Sequence, residues 1–278
     1  MLIRAVGLGN QGVTPLKNDD HFCIGPFVEQ TAFTSVVTDT NSSLFQQYGL
    51  LVAVADGIGG YAGGGLASRL ALETLSVLFY AEPRGMYTDS RQLAADVAGY
   101  LERTQELLAG KLARSPSLAE AGTTIAGIVL VPPDYLVVFH AGDSRVLRSN
   151  KGFVRRLTVD HTPVGADLDT GRLLEPEAVL LPDSHKLTRS LGMQGDSRVE
   201  VNVEYAWDEG DIFFIGTDGW HGLGTGVPHE FIRDEVRIEQ HAEKMARSLV
   251  EKAVELDGHD NVTLVTVEIA REGAKSGH

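Results

Sequence analysis

Residues 50–57 read LLVAVADG, six apolar residues followed by an aspartate and a glycine. Six residues suit a strand better than a helix, and a run that is apolar on both alternating faces predicts a strand covered from both sides. Asp56 closes the run where the chain must turn, and Gly57 favours the turn. The same arrangement recurs along the chain. YLVVFHAGDSR at 135–145 places Asp143 just past an apolar run, and DIFFIGTDG at 211–219 places Asp218 likewise. HDNVTLVTVEI at 259–269 opens a run with Asp260, and KNDDHFCI at 17–24 sets Asp19 and Asp20 before His21–Ile24. These runs predict strands at Leu50–Ala55, Tyr135–Ala141, Asp211–Gly216 and Asn261–Ile269. Thr124–Val131 (TIAGIVLV) predicts a further strand, joined to Tyr135–Ala141 by a hairpin turn at Pro132–Pro133–Asp134.

Between the strands, Gly65–Ala81, Arg91–Ala113 and Glu239–Leu256 read as amphipathic helices. In the last, Ala242, Met245, Leu249 and Val254 recur at near-helical spacing. The order is strands, two helices, a run of strands, a helix and a strand. It lacks strict β-α-β alternation and points to an α+β fold of antiparallel sheets covered by helices. No repeat or linker divides the chain, so residues 1–278 are expected to form one domain. Residues 160–186 are polar, with prolines, and predict a long surface excursion. Residues 27–49, with TSVVTDTNSS, read as a polar, turn-prone insertion.

The net charge of −14 argues against nucleic acid or an anionic membrane as partner. No apolar run reaches the length of a membrane span, and MLIRAVGLGN has no signal-peptide pattern. Cys23 is the single cysteine, which excludes an internal disulfide and fits a reducing compartment. A soluble, cytoplasmic monomer is expected.

Asp-Gly is also an ordinary turn signal, and any one of these aspartates could be no more than that. Several at strand ends suggest a cluster at one rim of a sandwich. Carboxylates gathered there repel unless a cation offsets them, and all-oxygen ligands favour a hard ion, Mg²⁺ or Mn²⁺.

The ordered set KNDD (17–20), VADGIGGYAGGGLASR (54–69), AGTT (121–124), HAGDSR (140–145), LTVDHT (157–162), LTRSLG (187–192), GTDGW (216–220) and HDNVTLV (259–265) resembles the motifs of the metal-dependent type 2C protein phosphatases. The resemblance covers nearly the whole chain. It implies a four-layer αββα sandwich and hydrolysis of phosphoserine and phosphothreonine in proteins phosphorylated by a Ser/Thr kinase. It also implies two Mn²⁺ or Mg²⁺ ions, with Asp56 and Asp218 at the catalytic centre. Asp56 would bridge both ions. Asp218 and Asp260 would complete the first, and Asp19 and the Gly57 carbonyl would hold the second. Asp143 would take a third, weaker ion with Asp218. The implied chemistry is in-line attack by a water activated between two cations, without a covalent enzyme intermediate. Cys23 lies outside every matched motif.

Three features depart from the pattern. Pro15 stands where the family has a phosphate-binding arginine. In an extended strand, residues 15, 17 and 19 would share a face, making Lys17 either a phosphate contact or a solvated lysine. Ile58 stands where some relatives carry a histidine, so water or another group must protonate the leaving oxygen; His161 reads as structural within the 160–186 flap. The third departure is the 27–49 segment. Two other classes are weighed. A dinucleotide-binding turn in GIGGYAGGG has the wrong spacing and would set Asp56 against a pyrophosphate. A partner-binding protein that has lost turnover would be signalled by a missing metal aspartate, and none is missing.

Overall fold

A computed structural model describes the whole chain except residues 32, 60–62, 85–86, 194, 205, 240 and 272–278. The strands are β1 (Leu2–Asn10), β2 (His21–Ile24), β3 (Phe27–Glu29), β4 (Thr34–Asp39), β5 (Leu50–Ala55), β6 (Gly57–Ile58), β7 (Gly122–Thr123), β8 (Ile125–Val131), β9 (Tyr135–Ala141), β10 (Arg145–Asn150), β11 (Phe153–Arg156), β12 (Glu200–Glu204), β13 (Ile212–Gly216) and β14 (Val262–Ala270). The helices are α1 (Ser43–Tyr48), α2 (Gly64–Tyr80), α3 (Ser90–Leu112), α4 (Gly165–Asp169), α5 (Glu175–Ala178), α6 (Asp218–His221), α7 (His229–Ile238) and α8 (Ala242–Leu256). One six-stranded sheet runs β11-β10-β13-β14-β1-β4, and the other β12-β9-β8-β5-β2-β3. All their pairings are antiparallel.

Side-chain alternation explains why the central strands are apolar on both faces. In β5, Leu50, Val52 and Val54 enter the core between the sheets. Leu51, Ala53 and Ala55 enter a second core under α2 and α3. In β14, Val265, Val267 and Ile269 face the intersheet core, and Val262 and Leu264 face α7 and α8. Three stacked cores thus separate four layers: helices, sheet, sheet, helices. The helices present the matching stripes. Ala71, Leu72, Leu75 and Phe79 of α2 and Leu93, Val97, Leu101 and Leu108 of α3 are all buried. Asp89 caps α3, its side chain accepting from Arg91 N at 2.9 Å.

The predicted hairpin is present, with Val131 paired to Tyr135 across the three-residue turn. The helices predicted at Gly65–Ala81 and Arg91–Ala113 start and end one residue earlier than expected. The helix predicted at Glu239–Leu256 begins later, at Ala242, because Glu239 and His241 are extended; α7 precedes the break. Residue 240, inside that predicted helix, and residues 60–62 of the glycine-rich motif lie outside the described residues.

Residues 27–49 are not simply polar turns. β3 extends one sheet beside β2, and β4 extends the other beside β1. α1 buries Phe45 to 1 % exposure, edge-on to Trp207 at 6.0 Å. Residues 15, 17 and 19 do not share a strand face, because residues 11–20 run outside any strand. No described helix is long and apolar enough to cross a membrane.

Candidate metal centre

Antiparallel pairing sets the end of one strand beside the start of its neighbour, and this gathers the aspartates. His21 pairs with Ala55, so Asp20 and Asp56 flank the same edge. Ile125 pairs with Ala141, which brings Asp143 to that edge through β8. On the facing sheet, Gly216 pairs with Leu264, which sets Asp218 near Asp260. The five aspartates named from the sequence therefore meet at one rim, three from one sheet and two from the other.

Polar contacts fix the cluster across the gap between sheets. Asn261 accepts from Asp19 N at 2.8 Å and donates through Nδ2 to the carbonyls of Gln11 (2.8 Å) and Lys17 (3.0 Å). The residue after Asp260 thus holds the loop that carries Asp19. Thr124 Oγ1 accepts from Asp56 N at 3.0 Å and lies 2.7 Å from Ser144 Oγ, which follows Asp143. The glycines make room. A Cβ on Gly57 would lie 2.7 Å from the Asp19 carbonyl, and one on Gly65 would lie 2.6 Å from Asp19 Oδ1. The start of α2 can therefore press against Asp19, and the positive end of the helix dipole favours its negative charge.

Asp20 joins the cluster, a member that sequence reasoning left without a role. It is buried, and Thr217 donates to its Oδ2 at 2.7 Å from the facing sheet. Phe22 and Ile24 enter the intersheet core, and Asp20 lies two residues before Phe22 on the same alternation. That parity is the signal that singles it out. Lys17 forms an ion pair with Asp19 at 2.7 Å.

Lys17 offsets only the Asp19 edge of the cluster. Burial raises the Asp56 carboxyl well above the usual range, and Asp20, Asp218, Asp260 and Asp143 raise it further. Asp20 is raised by burial, against the hydrogen bond from Thr217, and Asp143 by burial and then Asp218. Asp218 is pushed up to about 6 by burial and then Asp260. Asp260, at the open rim, is raised by desolvation. Asp160 shows the contrast. It is also buried, yet Arg145 grips it through Nε at 2.9 Å and holds its carboxyl below the usual range. Asp56, Asp143 and Asp218 have no ion-pair partner among the described residues, and Asp218 Oδ1 is buried without a hydrogen-bond partner. Hard oxygen donors with an unsatisfied lone pair and mutual repulsion fit divalent cations such as Mg²⁺ or Mn²⁺.

The cluster opens on a cleft of about 500 Å³. Asp56, Asp143 and Asp218 line one wall, and residues 185–190, leaving the flap, line another. His161 does not line it. Its ring stacks on His140 at 4.3 Å and 12°, its Nδ1 accepts from Gly142 N, and its carbonyl accepts from Thr188 N. It therefore clamps the two ends of the flap to the Asp143 turn. Glu200 approaches the same pair. The two ring planes are nearly parallel, so one ion cannot lie in both, and the arrangement suits a clamp better than a metal site.

Comparison with known proteins agrees with this geometry. The model of the protein phosphatase 2C family matches residues 38–257. The serine/threonine protein phosphatase PstP of Mycobacterium tuberculosis is 31 % identical over 220 residues, covering 79 % of this chain and 40 % of PstP. The chain thus spans less than half the length of that relative. The serine/threonine phosphatase stp of Listeria monocytogenes is 29 % identical over 222 residues, covering 78 % of this chain and 84 % of stp. Among solved structures, the PstP catalytic domain in complex with two manganese ions superposes with a TM-score of 0.73 at 25 % identity. That match covers 98 % of this chain and 100 % of the other. Asp19, Asp20 and Asp260 fall outside the family match, yet they share the rim with the aspartates inside it. The chain belongs to the protein phosphatase 2C family.

Proposed function

We propose that this chain is a protein serine/threonine phosphatase that hydrolyses phosphoserine and phosphothreonine with two divalent cations, Mn²⁺ or Mg²⁺. One observation carries the reading: the Asp56 carboxyl, raised by burial and then by Asp20, Asp218, Asp260 and Asp143, lines an open cleft with Asp143 and Asp218 and has no ion-pair partner among the described residues. Asp56 would be shared by both ions. Asp218 and Asp260 would hold the first, Asp19 and the Gly57 carbonyl the second, and Asp143 with Asp218 a third, weaker one. When bound, the ions supply Lewis-acid activation of water and offset charge on the phosphoryl oxygens.

The protein's own contribution is placement. Asn261 and Thr124 fix the Asp19 loop and the Asp56 turn, so the donors need little rearrangement. Thr217 holds Asp20 on the facing sheet. Lys17 offers a cation at the Asp19 edge for a substrate phosphate. Ile58 lines the cleft without a proton to give, so the leaving oxygen takes its proton from water or from another group. We assign the activity to a single domain over 1–278, working as a cytoplasmic monomer in signalling opposite a Ser/Thr kinase.

The test is hydrolysis of a phosphothreonine peptide with Mn²⁺, with Mg²⁺ and with EDTA. Turnover with metal and its loss in EDTA is the expected result. Binding of the peptide without turnover under any metal would overturn the assignment.

A further inference from the structure

The cleft that opens on the carboxylates has two cationic side chains in its lining, Lys186 and Arg189. Their states differ. The Arg189 guanidinium is engaged by Asp196 at 3.3 Å and Glu200 at 3.7 Å. Its charge is spent holding the flap exit to β12. Lys17 is paired to Asp19 and is not among the residues that line this cleft. Lys186 is exposed, and among the described residues its ammonium has no ion pair and no hydrogen bond. The backbone beneath it is fixed: Lys186 N donates to the Asp183 carbonyl at 2.9 Å, and Thr188 N donates to His161 O at 2.8 Å. An unspent positive charge therefore stands on a fixed wall of the cleft that Asp56, Asp143 and Asp218 also line, in a protein of net charge −14.

We propose that Lys186 is a substrate-anion contact of this cleft, distinct from Lys17 at the Asp19 edge. This deepens the phosphatase reading and rests on it. An ammonium is a strongly hydrated point charge with three donors. Left exposed in this setting, it suits an oxyanion that arrives with the substrate. The shared chemistry is an anionic oxygen group, and it has two sources: the phosphoryl group, or a carboxylate flanking the phosphorylated residue. Either way the contact favours productive encounter of an anionic peptide with a protein whose overall charge repels it.

The experiment compares wild type, Lys186→Ala and Lys186→Arg on three substrates in Mn²⁺: p-nitrophenyl phosphate, a phosphothreonine peptide with neutral flanks, and the same peptide with glutamates beside the phosphothreonine. Because the Lys186 side chain is exposed and makes no ion pair or hydrogen bond among the described residues, Lys186→Ala should keep the wild-type melting temperature. KM for the acid-flanked peptide is expected to rise about tenfold in Lys186→Ala with kcat little changed, and Lys186→Arg should restore it. A similar rise on all three substrates identifies the phosphoryl group as the partner. A rise confined to the acid-flanked peptide identifies the carboxylate. KM within about twofold of wild type on every substrate overturns the proposal. Fluorescence anisotropy of the labelled acid-flanked peptide reads the same contact without turnover. If wild type hydrolyses nothing yet Lys186→Ala still weakens this binding about tenfold, the phosphatase reading falls and the anion contact stands.

Discussion

At the scale of single residues, the two aspartates Asp56 and Asp143 separate metal binding from turnover. Asp56 is assigned to both tight ions, and its carboxyl is raised by burial and then by four neighbouring aspartates, so removing it strips the centre of its shared donor. Asp143 is assigned only to a third, weaker ion. Calorimetric Mn²⁺ titration is therefore expected to show two tight sites in wild type and in Asp143→Ala, and loss of most affinity for both in Asp56→Ala. Asp143→Ala should still lower kcat. Metal that binds only the native state stabilises it by about 2.7 kcal/mol at a hundredfold excess over Kd. Melts in Mn²⁺ should thus rise for wild type and Asp143→Ala and much less for Asp56→Ala; two tight ions in Asp56→Ala would refute the assignment. Asp56, Asp143, Asp218 and Asp260 were legible in the sequence because each stands at a strand end beside Gly or Asn, and the family resemblance singled out Asp19 from the acidic pair at 19–20. Asp20 was not, because two consecutive aspartates carry no sign of which faces the other sheet until the strand that follows is placed. The Lys17–Asp19 pair was unreadable for a related reason, since it depends on a loop that Asn261 holds from the opposite end of the chain.

Among the elements, α2 and α3 were readable to within one residue because their apolar stripes are long and regular. α7 was not read at all, because its ten residues bury only Ile232, and the start of α8 was set early at Glu239 because Glu239 and His241 are neither Gly nor Pro. β4 was hidden by its position. As an edge strand it alternates half-buried and exposed residues, so TSVVTD lacks the continuous apolar run of a central strand. Between β4 and β5, α1 drives Phe45 into the intersheet core against Trp207. Phe45→Ala leaves a cavity there and is expected to cost about 3–5 kcal/mol, read as a lower denaturation midpoint. Mn²⁺ affinity measured well below that midpoint should match wild type, because α1 contributes no residue to the rim. Unchanged stability would mean that the 27–49 segment is dispensable to the fold.

For the molecule as a whole, pH dependence follows from groups that folding holds neutral. Burial pushes His161 down to about 4, with His140 and Arg189 adding to the effect, and burial lowers His140 as well. The sign is that of a depressed histidine. Below about pH 6.5 the unfolded chain takes up a proton that folded His161 refuses until about pH 4. Its contribution is therefore complete above 6.5 and is lost as pH falls through that window. Denaturant melts in EDTA at pH 7 and pH 5 should show a larger acid loss for wild type than for His161→Gln, the carboxylate cluster being common to both. Equal losses would show that His161 accepts its proton in the folded state. The same whole-chain view gives β14 a different significance. It is the last described strand, yet it lies inside its sheet, between β13 and β1. On the ribosome, β1 and β13 are made before the strand that joins them. Until residue 270 has emerged, that sheet is two fragments with open edges, and Asp260 arrives only just before its completion. A copy without its last strand therefore lacks both the seam of that sheet and the Asp260 carboxylate of the rim.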